Sequence, residues 1–233
     1  MPKLAIVAAL NREVRGLIDN LSRIEREHQG RKFTFFEHDE MVIICGGIGV
    51  EAARRATEAM IALYHPARVQ SVGFAGALDA GLSVGDIFSP ALVVDARDGS
   101  RFQMEGGKGV LVTFMAVADA RQKTKLAQAY GAQVVDMEAA AVAAAASAHG
   151  LQFGATKVIS DELDFEMSET ARFIGPQGQF RTASFAFFVL VRPWLWRRAV
   201  NLASNSNKAA RVLAEHLRAF RQHLSHVVEA KTT

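Results

Sequence analysis

Three carboxylates follow predicted β-strands closely enough to share one site. Glu13 comes shortly after the first apolar run of the chain, Glu138 follows a brief apolar pair, and Asp161 directly follows another apolar run. In open α/β sheets ligands bind at the carboxyl ends of strands, so these side chains are expected at one edge of the sheet. Carboxylates there can activate water, accept hydrogen bonds from sugar hydroxyls or protonate a leaving group. This chemistry suits the cleavage of a glycosidic bond, whose transition state carries positive charge that a carboxylate stabilises.

Each carboxylate also has an ordinary structural explanation. An acidic residue in the first turn of a helix complements the helix dipole, which would account for Glu13 and Glu138. Asp161 can be a turn residue or a helix cap. Taken singly these explanations are favoured, so the chemical interpretation depends on the three residues together. Glu138 is the least well explained, because its neighbours look buried and a buried carboxylate needs a partner or a ligand.

Hydrophobic periodicity predicts the elements that must position these residues. Apolar runs alternate with segments of helical period, which indicates an α/β fold with an at least partly parallel sheet. Strands are predicted at residues 4–8, 33–36, 41–45, 71–75, 87–94, 110–113, 134–135 and 155–160. Helices are predicted at residues 11–21, 50–64, 121–130 and 137–149, with a mainly helical part from about residue 185. The polar segment 162–181 is predicted to be a long loop, and such loops are often functional.

The composition is that of an ordinary globular protein. The chain has 233 residues, of which half are hydrophobic and 22% are charged, and its formal net charge is +3. We therefore expect a single domain over residues 1–233, and the small charge excess does not argue for nucleic acid. Cys45 has no partner in the chain, which predicts a reducing, cytoplasmic location and a buried hydrophobe rather than a reactive thiol. The N-terminal apolar run is too short for a membrane span and lacks the layout of a signal peptide.

A glycine-rich turn, residues 46–49, lies between a predicted strand and the helix predicted at 50–64. Backbone amides in such a turn can come close to a ribose or an anion. A tight connection from strand to helix explains the glycines equally simply, and it is the favoured interpretation.

Several segments, taken in order, resemble the purine nucleoside phosphorylase and 5′-methylthioadenosine/S-adenosylhomocysteine nucleosidase superfamily. They are similar to its first-strand signature with a glutamate, its glycine turn, its central glycine signature, and its ribose-binding and base-binding signatures. The matching segments are residues 8–14, 46–49, 73–78, 81–87, 135–141 and 158–161. They cover roughly residues 4–161, and the specificity lies in the combination rather than in any one segment.

The resemblance implies a three-layer αβα sandwich around a mixed sheet, usually assembled as a dimer or larger homo-oligomer. It implies a purine nucleoside substrate, with Glu13 activating the attacking water and Asp161, beside Ser160, delivering a proton to the leaving base. Met137 and Glu138 would hold the ribose. The other residues expected to bind substrate are Ile48, Gly49, Phe74, Ala75, Gly76, Phe114, Met115 and Asp136.

Departures from the family pattern bear on the nucleophile. The family often has Ser or Thr where Phe74 stands. Phosphorolytic members tend to carry an arginine where Ser71 stands, and here no arginine closely follows Asp161. A phosphate dianion would lack its expected partners unless Arg12 or Arg15 serves. Water is therefore favoured as the nucleophile, and phosphorolysis, with phosphate as co-substrate, is the alternative.

The segment 95–112 is shorter than in typical members, which place a helix and a longer loop there before an aromatic residue that stacks on the base. Phe114 or Met115 falls near that position. A similar shortening occurs in the hopanoid-associated nucleosidase/phosphorylase branch, whose substrate is a lipid-linked adenosine, so such a substrate is an alternative. Together with Phe74, the shortening also leaves open a nucleoside-binding module without turnover.

The C-terminal third combines the apolar run 185–191 with Trp194, Trp196 and nearby arginines. The run cannot span a bilayer. Trp beside Arg is typical of an interfacial membrane anchor, but a helix packed in the core with a solvated rim is the favoured interpretation. From residue 207 leucines recur at helical spacing, which predicts a helix packed on the sheet or on a partner subunit. The seven histidines are scattered, so neither a metal site nor a cofactor is predicted.

Overall fold

The computed structural model of the protein describes residues 4–19, 21–38, 41–165 and 168–229. The strands are β1 (Leu4–Ala8), β2 (Ser22–His28), β3 (Arg31–His38), β4 (Met41–Cys45), β5 (Arg68–Ala77), β6 (Ile87–Phe88), β7 (Leu92–Asp95), β8 (Arg101–Gln103), β9 (Val110–Thr113), β10 (Val134–Asp136) and β11 (Gln152–Asp161). The helices are α1 (Asn11–Ile18), α2 (Val50–Tyr64), α3 (Ala120–Tyr130), α4 (Ala139–Ala148), α5 (Thr182–Leu190) and α6 (Trp196–Glu229), with 3₁₀ helices at Ser168–Phe173 and Pro193–Leu195.

The strands form a mixed sheet centred on the long strand β5. β1 pairs in parallel with β4 on one side and with the first part of β5 on the other. β11 is parallel to almost the whole of β5, whereas the short β10 is antiparallel to the end of β5. The order is β2-β3-β4-β1-β5-β10-β9-β7-β8, with β11 paired to β5 and β6. The carboxyl ends of β1, β5 and β11 therefore meet at one edge, and the end of β10 lies beside them.

Helices cover both faces of this sheet, which confirms the predicted three-layer αβα sandwich. On β1, Ala5 and Val7 face a core cluster shared with α2 and α4. Leu4 and Ile6 face the opposite cluster, which is shared with α1 and α6. Successive side chains of a strand point to opposite faces, so a strand buried on both sides carries an unbroken apolar run.

The hydrophobic pattern misses β2 and the short edge strand β8, and it misplaces several boundaries. β2 lies at the edge of the sheet and is mostly exposed, so its polar sequence carries no burial signal. The helix predicted to reach residue 21 ends at Ile18. The strand predicted at 87–94 is two strands, because Pro90 between them has no N–H to donate to a neighbour. The segment 162–181 is not loop throughout, since it contains the 3₁₀ helix Ser168–Phe173.

The prediction that the tryptophan region packs in the core is wrong. Trp194 is 72% exposed and Trp196 is 50% exposed. The preceding helix α5 is apolar on every side, and only one of its faces is covered, through ring contacts of Phe185 and Phe188 with Phe173. The prediction that the leucines farther along α6 form a packing face is confirmed, because Leu213 is fully buried against the α1 side of the sheet.

Two further observations concern Cys45 and the membrane. Cys45 is partly buried against the core beside α1, and burial raises the pKa of its thiol to about 12, as expected for an unreactive hydrophobe. Within the described ranges, no helix combines the length and apolarity needed to cross a bilayer.

Candidate active site

A cavity lies at the edge where β1, β5, β10 and β11 end. The structure brings most of the expected residues to its wall: Glu13, Ile48, Phe74, Ala75, Gly76, Asp136, Met137, Glu138, Ser160 and Asp161. Ala116–118 and Lys123 complete the sheet side of the wall. Thr170, Ile174, Phe180, Leu202 and Ser206 close the cavity from the C-terminal part of the chain.

Glu13 is buried in the first turn of α1, and both its carboxylate oxygens accept hydrogen bonds from the backbone. The amides of Ala9 and Leu10 donate to Oε2 at 3.0 and 2.9 Å, and the amide of Phe74 donates to Oε1 at 3.2 Å. Burial raises the pKa of Glu13, and these hydrogen bonds partly oppose that shift. The side chain is therefore a fixed carboxylate whose affinity for a proton is higher than that of an exposed glutamate.

Gly73 makes room for this carboxylate. A Cβ at position 73 would lie 3.1 Å from the Glu13 carboxyl group, and the backbone there has φ of +147°. Both the space and the conformation therefore call for glycine. This requirement explains why the central glycine signature and the first-strand glutamate occur together.

Glu138 caps α4 in a non-helical conformation, with φ of −134° and ψ of −35°. Its Oε1 accepts the amide of Gly49 at 2.7 Å. Burial, together with repulsion from Asp136, raises the pKa of Glu138 to about 8. A carboxylate that binds its proton this strongly is typical of functional sites.

The glycine-rich turn donates its amides within the protein. The amides of Gly46 and Gly47 bond to the carbonyls of Ala8 and Ala9, and the amide of Ile48 bonds to the carbonyl of Gly178 at 2.7 Å. With Gly49 donating to Glu138, each of the four amides of the turn has a partner in the chain. The turn is thus a tight connection that positions Glu138, as favoured from the sequence, and not an anion-binding loop.

Asp136 lines the cavity, but its carboxylate is committed to neighbouring protein groups. Thr113 donates to Oδ1 at 2.6 Å, and the amide of Ala139 donates to Oδ2 at 2.8 Å. Lys157 forms an ion pair with Oδ2 at 2.8 Å, and both side chains are almost completely buried. Asp136 therefore fixes the start of α4, which carries Glu138, rather than offering a free acceptor to a ligand.

Lys157 is a functional candidate that sequence reasoning missed. Its ammonium group also donates to Ser71 Oγ at 3.0 Å. Burial alone would lower the pKa of Lys157, but the nearby carboxylates of Asp136 and Glu138 raise it above its ordinary value. The signal was present, because Lys157 is a lone charge in the apolar run of β11 and a buried charge needs a partner.

Asp161 ends β11 and is held by two side chains. Lys123 of α3 pairs with Oδ2 at 2.6 Å, and Ser160 donates to Oδ1 at 2.8 Å. Lys123 is only 1% exposed. No sequence pattern pointed to this lysine, because its neighbours in α3 are polar and it looks like part of a solvated helix face.

Three of the expected residues, Gly49, Phe114 and Met115, do not line the cavity. Gly49 acts through its amide, which donates to Glu138. Phe114 packs in the core cluster near α3, and Met115 is 65% exposed. The amide of Phe114 bonds to the carbonyl of Asp136, which continues the β9–β10 ladder, and the phenyl ring packs against core residues rather than lining the cavity. Residues 116–118 reach the cavity in place of these two side chains.

Arg12 is the remaining cation on the cavity wall. Its guanidinium lies 5.4 Å from the ring centroid of Phe74, and burial lowers its pKa. Among the described residues, no three histidine, cysteine or acidic side chains are grouped as metal ligands.

Comparison with protein families settles the membership of the chain. The family model of the phosphorylase superfamily matches residues 3–121 and 99–191. The chain belongs to the phosphorylase superfamily. This membership confirms the resemblance drawn from the sequence segments, and all the cavity residues named from those segments fall within the matched ranges.

A relative of this phosphorylase-superfamily chain is a 5′-methylthioadenosine/S-adenosylhomocysteine nucleosidase from Bacillus cereus (strain B4264). The two sequences are 33% identical over 88 residues, which is 36% of this chain. The chain thus spans only 38% of the length of that relative.

Solved structures share the fold. The 5′-methylthioadenosine/S-adenosylhomocysteine nucleosidase of Helicobacter pylori, in complex with butyl-thio-DADMe-Immucillin-A, superposes with a TM-score of 0.65 at 17% identity. That match covers 94% of this chain and 99% of the other. The futalosine hydrolase of Helicobacter pylori strain 26695 superposes with a TM-score of 0.66 at 16% identity, covering 94% and 98% of the two chains. At these identities the likeness shows the fold alone.

Proposed function

We propose that this protein hydrolyses the N-glycosidic bond of a purine nucleoside and releases the free base. The observation that carries the proposal is the grouping of Glu13, Glu138 and Asp161 on one cavity wall, each fixed by hydrogen bonds. The names of the related nucleosidase and of the two structural neighbours support the same reaction class.

In the proposed reaction Glu13 is the general base. It removes a proton from a water molecule, whose oxygen then bonds to the anomeric carbon as the bond to the purine nitrogen breaks. The raised pKa of Glu13 suits this role, because its carboxylate takes up a proton more readily than that of an exposed glutamate. Its fixed oxygens hold the water on one side of the sugar.

Glu138 and Met137 form the proposed ribose subsite. A carboxylate can accept hydrogen bonds from neighbouring hydroxyls, and the Gly49 amide leaves room on the Glu138 oxygens for further donors. Met137 lies on the same wall and offers an apolar contact to the sugar face. In its ionised form Glu138 also stabilises the positive charge that develops on the ribose.

Asp161 and Lys123 form the proposed base subsite. The Lys123 ammonium pairs with Asp161 Oδ2 at 2.6 Å, and the Asp161 carboxyl group hydrogen-bonds to the purine. The proton that the departing base needs passes from Lys123 through Asp161, so Lys123 ends the step neutral and regains its proton from solvent. Ser160 holds the second oxygen of Asp161 in position.

The charges around the cavity support water over phosphate as the nucleophile. Lys123, the other cation on the cavity wall, is paired with Asp161, and Lys157 behind the wall is paired with Asp136, so Arg12 is the wall cation left to meet an anion. Arg12 stands next to Glu13, whose charge repels a phosphate dianion.

Base release from methylthioadenosine, adenosylhomocysteine, adenosine and futalosine, each with and without phosphate, tests the proposal. Release without phosphate is the expected result. Release only with phosphate would make the enzyme a phosphorylase and overturn the choice of water. Thermal stabilisation by these nucleosides without base release under any condition would favour a binding module without turnover.

A further inference from the structure

A continuous stretch of the C-terminal region exposes large apolar side chains. Of the seven such side chains exposed in the described part of the chain, six lie between residues 187 and 200. We call them the 187–200 patch: Phe187, Leu190, Val191, Trp194, Trp196 and Val200, with exposures from 50% to 72%. Exposed apolar surface gathered in this way marks an interaction site.

The fold supports the patch from beneath. The opposite face of α5 is anchored by edge-to-face contacts of Phe185 with Phe173 and Phe180, at 5.3 and 5.5 Å between ring centroids. The indole N–H of Trp196 donates to the carbonyl of Val189 at 3.0 Å, which ties the start of α6 to the end of α5. The exposed side chains of the 187–200 patch therefore project from a packed part of the fold.

The segment of the chain that carries the patch has charges of one sign. Between Thr170 and Ala214 the sequence contains no Asp or Glu and seven cations: Arg172, Arg181, Arg192, Arg197, Arg198, Lys208 and Arg211. Since the formal charge of the whole chain is only +3, the rest of the chain is net negative. Arg197 and Arg198 directly follow Trp196 and are exposed.

We propose that the 187–200 patch docks on an anionic membrane surface. Tryptophan favours the level of the lipid headgroups, and apolar side chains beside it enter the acyl boundary while arginines contact lipid phosphates. A second copy of the chain fits this surface less well, because a twofold contact would bring two positively charged surfaces together. The docking is peripheral, in keeping with the absence of a spanning helix among the described residues.

Docking would bring the cavity close to the bilayer. Phe180, Leu202 and Ser206, which belong to the same cationic segment, line the cavity wall. The proposal does not depend on the reaction assigned to that cavity, and vesicle binding is measured without any nucleoside present.

The two tryptophans of the chain give a direct measurement, because both lie in the patch and no others contribute to the emission. Vesicles of phosphatidylglycerol at low salt are expected to shift the tryptophan emission to the blue and to co-sediment with the protein. Vesicles of phosphatidylcholine should have a much weaker effect, and added salt should reverse the binding. Failure to bind phosphatidylglycerol vesicles at low salt would overturn the proposal.

Matched variants distinguish vesicle binding through the patch from a general effect of removing positive charge. Replacing Arg197 and Arg198 by Gln should weaken vesicle binding by about tenfold or more. The same replacement of Arg54 and Arg55, an adjacent exposed pair on α2, should leave binding unchanged. Equal losses in both pairs, or a blue shift that grows with protein concentration without vesicles, would contradict membrane docking; the second result would indicate self-association instead.

Discussion

At the scale of single residues, two buried lysines hold the charges of the site in place. Of the two ion pairs, Lys157–Asp136 is the more enclosed, because Asp136 is buried as well as Lys157. Removing one member of a buried ion pair leaves the other charge without compensation. We therefore expect Lys157→Met to lower the free energy of unfolding by about 3–5 kcal/mol, measured by urea denaturation. Lys125→Met, at an exposed position on α3, is the control, and a loss for Lys157→Met as small as that of the control would contradict the ion-pair account.

The proposed ribose and base carboxylates make a separate prediction about turnover. Glu138→Gln keeps an oxygen for the Gly49 amide and Asp161→Asn keeps one for Lys123, so both variants should fold. Asp161→Asn loses the charge that pairs with Lys123, and Glu138→Gln replaces one of the two oxygens that accept ribose hydroxyls by a donor, so kcat for base release should fall by about 100-fold or more in each variant. Circular dichroism checks the fold, and Asp164→Asn, at an exposed position nearby, serves as the control. Turnover near that of the parent protein in either variant would remove that residue from the mechanism.

At the scale of elements, the segment before α5 is held against the sheet edge through a glycine contact. The carbonyl of Gly178 accepts the amide of Ile48, and a Cβ at 178 would lie 2.5 Å from the Ile48 carbonyl oxygen. Gly178→Ala should displace the segment that brings Phe180 to the cavity and raise KM for the nucleoside by about tenfold. Gly131→Ala is a matched control, since Gly131 also has positive φ but an open space around its Cα. A similar KM in both variants would show that the segment does not shape the cavity.

The elements also show what the sequence could and could not predict. β1, β9 and α2 were predicted with the bounds observed, because their burial leaves an apolar pattern and Pro66 and the glycine turn mark the ends of α2. β2 escaped prediction because an exposed edge strand has no such pattern. The Lys123–Asp161 ion pair was not predicted either, because it joins α3 to β11 and no residue spacing along the chain reveals such a contact. The exposure of the tryptophans depends on which face of α5 is covered, and the mainly apolar composition of that helix does not determine the covered face.

At the scale of the whole molecule, the C-terminal helix is integrated with the sheet. Leu213 and Leu217 of α6 are buried in the cluster that contains β1 and α1, and Arg218 donates to the carbonyl of Gly16 at 2.6 Å. We therefore expect residues 1–233 to unfold as a single domain in one calorimetric transition, with equal calorimetric and van't Hoff enthalpies. A separate transition for the C-terminal part would contradict the prediction of a single domain.

The grouped carboxylates should also make stability depend on pH. The pKa of Glu138 is about 8 in the folded protein and 4.5 as an ordinary glutamate, so between these values the folded state binds the proton that the unfolded state has released. The free energy of unfolding should therefore fall as pH rises through this window, by at most about 1.4 kcal/mol per pH unit from this group. Glu138→Gln removes the titration, so the variant should be as stable as the parent near pH 4.5 and increasingly more stable than it toward pH 8. Urea denaturation of both proteins across that range measures the difference. If the free energies of unfolding of the two proteins run parallel with pH, the neighbours of Glu138 do not destabilise its ionised form. If they converge at low pH, the ionised form of Glu138 lowers the stability of the folded protein.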